Sequence, residues 1–316
     1  MSKSYEETFI SRRNSIAPEY DKYLDQYING SEDYLKFTGQ LEYYSNQGCE
    51  ISNTLSNEYY DCVIGKARTM KNVHDIEENI EKEEETLSLE NQKRKLNTAE
   101  QRSHIHKLKK ELSEIFPWEF EKKAAKYMEI RKAHLNFKEQ KQRDQYKDEK
   151  LEKLHEKVTN QLEYGKMYEK RMREIEKQVQ KQIDVFKQSQ AMVETIEKNG
   201  GLNSPYLQDN EEAKKAYENL KDSLENPKIF ANAPDPKENP NCLAALRNTL
   251  ATNIPTYNES LKPEVDELTE QKDVKEKEYV QNYVNGRIRR NNKNKDQNKD
   301  TEQTTDTEQE QEDEER

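Results

Sequence analysis

Five histidines, three cysteines and a large stock of carboxylates are the side chains of this chain with the most chemical potential. Their spacing assembles no familiar reactive constellation. His104 and His106 are two residues apart, which on a helix turns them to different sides and denies them a shared ligand role. His134 falls on an apolar seam and reads as a helix–helix contact, while His74 and His155 sit in polar surroundings. Cys49, Cys62 and Cys242 lack metal-ligand spacing, and Cys62 lies on the seam, where a thiol behaves as a small apolar side chain. There is no glycine-rich phosphate loop, His-Glu-x-x-His, paired-cysteine signature or nucleophile elbow. The expectation is a protein that is not an enzyme and takes no cofactor. Its 18 tyrosines read as packing residues whose hydroxyls reach water. Ser15, behind Arg12-Arg13, is the one modification candidate, a kinase site of basic-directed type.

Charge is the remaining chemistry, and it is distributed in blocks. The net charge is −11, with 37% charged and 31% hydrophobic residues; globular domains average about 25% and 45–50%. Residues 75–90 hold eight acids against Lys82 alone. Residues 93–110 then hold seven bases against Glu100, and 122–181 hold eighteen against eleven acids. The last stretch, 301–316, is acidic again. A positive middle between negative ends points to a surface that meets anionic partners over part of its length. Arg287, Arg289, Arg290, Lys293 and Lys295 form a second basic cluster, yet an acidic tail follows at once. The bases elsewhere are interleaved with Glu, so nucleic acid is not an expected partner.

The elements that carry these charges follow from one apolar pattern. Tyr34, Phe37, Leu41, Tyr44, Gly48, Ile51 and Leu55 alternate steps of three and four residues. The same narrow stripe returns at Leu151, Leu154, Val158, Gly165, Tyr168, Met172, Ile175, Val179, Phe186, Val193 and Ile196. A stripe at about 3.5 residues per repeat lays one long helix along another. Residues 66–164 hold no glycine and a single proline, Pro117, so the regular turn punctuation of a sheet is missing there. The fold class is therefore all-α, an elongated antiparallel three-helix coiled coil.

Four segments are expected. Residues 1–17 are an irregular N-terminus, and 18–198 form a long-helix domain that Pro18 opens and Asn199-Gly200-Gly201 closes. Ser31 caps a segment after a break at Asn29-Gly30, and Gly65 is where the direction bends. Pro117, inside Phe116-Pro117-Trp118-Glu119-Phe120, imposes a fixed bend or a stop. The polar run 138–150 is a helical hairpin tip. Residues 199–285 are a Pro-interrupted helical extension, and 286–316 are a disordered charged tail. No stretch approaches the roughly 18–20 apolar residues of a spanning helix, and the N-terminus has no apolar signal core, so the protein is expected in the cytoplasm.

The layout resembles the BAR-domain family. The resemblance rests on a leading amphipathic helix over 18–65 and a second helix kinked at Pro117. The basic run Arg131-Lys132-Ala133-His134-Leu135-Asn136-Phe137-Lys138 then approaches the polar tip. A third helix carries Tyr168-Glu169-Lys170-Arg171-Met172-Arg173-Glu174-Ile175, then Val179, Ile183 and Phe186. It spans 18–198. It implies a crescent-shaped homodimer of kinked coiled coils that binds and bends membranes, with Tyr34, Phe37, Leu41, Tyr44, Ile51, Leu55, Trp118, Phe120, Tyr168, Met172, Ile175 and Val179 in the helix and dimer packing. Two features depart from the family: the acidic block at 75–90 in the second helix, and the absence of a basic amphipathic wedge at the N-terminus.

Anionic lipid attracts each exposed Lys or Arg by about 1 kcal/mol within a Debye length. The expected membrane-binding residues are Lys107, Lys109 and Lys110 near Pro117, with Lys138, Lys141, Arg143, Lys147 and Lys150 at the tip. The functional expectation is a non-enzymatic protein, peripheral on membranes, that binds anionic lipid as a homodimer and senses or shapes curvature. The competing expectation is a structural coiled-coil scaffold or tether (cytoskeletal, wall or particle component) whose opposite charge blocks dock to each other or to other coiled-coil proteins, without lipid.

Overall fold

The computed structural model describes residues 18–49, 51–93, 99–140, 149–208, 210–225 and 240–314; side chains are described through residue 290, apart from those of 53, 86–93, 99–101, 136–140 and 149. Among these residues the chain is helical, with no strand. The helices are α1 (Pro18–Gly30), α2 (Glu32–Asn46), α3 (Asn53–Lys93), α4 (Ala99–Ser113), α5 (Phe120–Gln140), α6 (Glu149–Lys198), α7 (Glu211–Glu225), α8 (Leu243–Asn253) and α9 (Lys262–Glu314). No described helix is long and apolar enough to cross a membrane.

The expected 18–65 helix is three pieces. Ser31 ends the first break as the N-cap of α2, its side chain accepting from the Tyr34 amide at 3.3 Å. Gly48 ends α2 in a left-handed conformation, φ 84°, that only glycine adopts without strain. Gly65, expected at a bend, lies inside the uninterrupted α3. The reason is steric: the Tyr168 ring of α6 packs straight onto its Cα, where a Cβ would collide. Gly165 receives the Phe120 ring of α5 in the same way, a Cβ there meeting Cγ at 2.6 Å. These glycines set close helix approach. Pro117 likewise separates two helices, because α4 stops at Ser113 and α5 starts at Phe120.

The described residues fall into two compact units. The first comprises Ile28–Asn57 and 175–314, the second 18–27 and Glu58–Glu174. This division does not coincide with the boundary expected at 198/199, since the C-terminal helices belong with α2 and the second half of α6.

In the first unit α9 packs on α2. Tyr44 donates to Glu276 at 2.5 Å, Gln40 donates to Glu276 at 2.7 Å, and the Tyr283 ring lies over Gly39. Lys187 of α6, buried, pairs with Asp273, and Lys272 pairs with Glu194 at 2.6 Å. Helices α7 and α8 bury Leu220 and Leu250, and Asn210 ties their ends by donating to the Asn253 carbonyl at 2.7 Å. Helix α9 continues through 286–314, where the composition predicts a disordered tail. That stretch has no proline and, after Gly286, no glycine, so nothing in its backbone chemistry stops the helix.

In the second unit the registry of contacts fixes direction. Glu58, Asn72 and Glu83 of α3 meet Arg171, Gln161 and Lys150 of α6, so these two run antiparallel. Glu77 and Glu84 meet Lys123 and His134 of α5, which runs parallel to α3. Helix α4 folds back along α5, with Lys126 and Glu111 paired at 2.8 Å. From α1, Tyr27 sets its ring edge on Trp118 at 6.4 Å between centroids.

Candidate functional site

Most of the seam is core. Tyr34, Phe37, Leu41, Tyr44, Ile51, Phe120, Met172, Ile175 and Val179 are buried, while Leu55, Trp118 and Tyr168 are half-buried. The three cysteines are buried and form no disulfide, and burial pushes the Cys62 thiol above its ordinary pKa. Cys62 therefore offers no reactive thiolate.

The expected membrane-binding cations part company. Lys107 and Lys110 are exposed on α4. Lys109 turns inward and pairs with Glu84 of α3, and Lys150 pairs with Glu83. Lys138 lies in the last turns of α5, its side chain outside those described, and Lys141, Arg143, Lys147 and Ser15 lie outside the described residues. Between α4 and α5 the Phe116 ring is 58% exposed and stacks on Trp118 with centroids 4.9 Å apart and planes 8° from parallel. Glu119 folds back on this turn and accepts from the Phe116 amide at 3.2 Å.

Beneath that turn the second unit holds a cleft of about 290 Å³, lined by polar and apolar residues of α3, α4, α5 and α6 and by Ile115 and Pro117 of the turn. One wall carries Glu77, Glu81 and Glu84, one helical turn apart or nearly so on α3. Lys123 donates to Glu77 at 2.7 Å, and the Tyr127 hydroxyl donates to the same oxygen at 2.6 Å. Burial, and then the Glu77 charge, hold the Tyr127 phenol far above its ordinary pKa, so it stays a hydrogen-bond donor. At the far end Glu84 Oε1 lies 3.0 Å from His134 Nε2. The ring of His155, from α6, lies 5.8 Å from that of His134 and 6.3 Å from that of Tyr127, between centroids. Glu84, His134 and His155 each present one ligand-type atom, and these lie within 4.8 Å of one another.

Sequence reasoning treated the two histidines separately. The signal that joins them is the polar run itself. The tip expected over 138–150, of which 141–148 lie outside the described residues, implies the antiparallel register that the Arg131–Glu152 pair shows at 3.5 Å and that sets 134 opposite 155, while Glu84 enters from α3, whose register only the glycine contacts reveal. No protein-family model, curated protein or solved structure matches this chain.

Proposed function

We propose that this chain is a non-enzymatic helical protein that associates with anionic lipid surfaces as a homodimer, its long helices arranged as an elongated antiparallel BAR-like bundle that senses or shapes curvature, cytoplasmic and peripheral on the membrane. The observation that carries this reading is the exposed Phe116 ring, stacked on the half-buried Trp118 between α4 and α5, with the exposed Lys107 and Lys110 in the last two turns of α4. A flat aromatic pair enters the headgroup region while neighbouring ammonium groups meet lipid phosphates, which combines apolar burial with charge attraction.

The test is co-sedimentation with phosphatidylserine-containing vesicles. Wild type pellets with them. Phe116→Ser and the pair Lys107→Glu, Lys110→Glu each cut the bound fraction, as does reversal of Lys138, Lys141, Arg143 and Lys147 at the tip. Unchanged pelleting across all three variants removes the lipid reading.

A structural scaffold, self-associating or joined to other coiled-coil proteins, is favoured by a different observation. The acids of 75–90 are met by cations of the same chain, Glu77 by Lys123, Glu83 by Lys150 and Glu84 by Lys109. Those charges serve helix packing and leave the lipid surface with fewer bases. This reading requires assembly beyond a dimer in sedimentation velocity without lipid.

A further inference from the structure

The geometry points to a divalent transition-metal site, suited to Zn²⁺, formed by Glu84 of α3, His134 of α5 and His155 of α6. Two imidazoles and a carboxylate are the donor set that zinc accepts with one position left for water. Ligand atoms around tetrahedral zinc stand about 3.3 Å apart, given bond lengths of about 2.0–2.1 Å. Here the three atoms lie within 4.8 Å, and the Glu84–His134 pair is already at 3.0 Å. The gap left for His155 to close, from 4.8 Å at most, is within the reach of side-chain rotation.

The surroundings fit as well. Lys109 sits on the other carboxylate oxygen of Glu84, an arrangement that holds a ligand in orientation while Oε1 faces the two rings. His155 is 5% exposed and His134 and Glu84 are half-buried, so the ion would be shielded but reachable. The cleft beyond Glu84 and His155 supplies room for the fourth ligand, a water molecule. The Lys109 ion pair accounts for one oxygen of Glu84; a metal would also account for the convergence of two imidazoles, from two further helices, on the other.

Such an ion would cross-link three helices, α3, α5 and α6, and binding it would add to the stability of their packing. It stands apart from the lipid reading: either can fail alone.

The experiment uses the full chain stripped with chelator and titrated with Zn²⁺ by calorimetry, with Co²⁺ as a spectroscopic substitute. The expected result is one ion per chain and a tetrahedral cobalt spectrum lacking thiolate charge transfer. Glu84→Gln and His134→Gln each weaken binding by at least about 10-fold, and His155→Gln does the same. His104→Gln with His106→Gln, on exposed positions of α4, leaves it unchanged. Far-ultraviolet circular dichroism checks the helices; should His155→Gln unfold, the two variants at the half-buried positions decide the matter. Three outcomes overturn the proposal: no stoichiometric binding, equal loss in the α4 histidine variant, or a thiolate band placing the ion at cysteine.

Discussion

Tyr44 shows how much a single polar atom is asked to do in this fold. Its ring is buried against Phe186, with centroids 6.4 Å apart, and its hydroxyl donates to Glu276 at 2.5 Å. Burial first, then the Glu276 bond and charge, with smaller contributions from Tyr43 and Asp273, hold the phenol well above its ordinary pKa. The folded chain thus keeps a proton that the unfolded chain releases near pH 10. Stability from this group is complete below pH 10 and falls above it, by about 1.4 kcal/mol per pH unit, until the folded value is reached. Tyr44→Phe loses about 1–3 kcal/mol at neutral pH, for the hydrogen bond to a charged acceptor. The difference between variant and wild type then shrinks between pH 10 and 11.5 in urea midpoints; a constant difference means that Tyr44 ionises freely. Gly165 makes the opposite case, where an absent atom matters. Phe120, fully buried, fills the space of its Cβ, so Gly165→Ala sets an overpacking cost of about 1–3 kcal/mol against about 1 kcal/mol of helix propensity. Gly286 has open space on all sides, and Gly286→Ala gains the propensity alone. Denaturant curves should show the first variant destabilised and the second stabilised. Equal shifts would mean that Phe120 moves aside freely.

Between helices, the decisive contacts are buried charges. Lys66 of α3 is buried; its ammonium lies 3.6 Å from Glu169 of α6, donates to the Tyr27 hydroxyl at 3.3 Å and stands 4.4 Å over the Tyr27 ring. Burial raises the pKa of Glu169, and Lys66 opposes that rise. Desolvating both groups consumes most of their attraction, so replacing the pair together, Lys66→Met with Glu169→Leu, is expected to be nearly neutral, whereas Glu169→Ala alone strands the ammonium and costs about 3 kcal/mol. Thermal unfolding of the two variants checks the asymmetry, and equal losses would show that the pair is effectively solvated. This pairing also marks the limit of what periodicity conveys. The seam was legible because burial at steps of three and four needs apolar types, and Tyr34, Leu41, Ile175 and Val179 are indeed core. Stops were legible where backbone chemistry forces them, at Ser31 and at Gly200 with its φ of 109°. Lys66, Lys187 and His155 look like surface residues in sequence, because their burial depends on a partner supplied by a distant helix. Gly65 misled for the same reason: a glycine at a bend and a glycine under a Tyr168 ring are written alike. The Glu84, His134 and His155 cluster needed three registers at once, and only the hairpin's was available from composition.

Across the molecule, charge and its use diverge. Residues 58–174 carry 27 bases and 25 acids, and the remainder therefore carries 26 and 39. A membrane with negative lipid attracts the first group only weakly as a whole and repels the rest, so net charge cannot drive association. The proposed association would have to come from where charge sits: from the exposed Lys107 and Lys110 in the last two turns of α4 before the Phe116–Trp118 stack, while Lys109, Lys123 and Lys150 are occupied by Glu84, Glu77 and Glu83. The consequence is a particular salt response. Raising ionic strength from 0.15 M to 1 M shortens the Debye length from about 8 Å to about 3 Å. It weakens lysine–lipid attraction and the repulsion of the acidic segments together. Burial of the aromatic pair, at about 25 cal/mol per Å², does not weaken with salt. Vesicle pelleting of wild type should therefore fall only partly in 1 M salt. In Phe116→Ser it should fall to background, since nothing salt-insensitive remains. If the two proteins lose binding identically, the stack lies off the membrane and any association is purely electrostatic; if neither binds at low salt, the scaffold reading stands in its place.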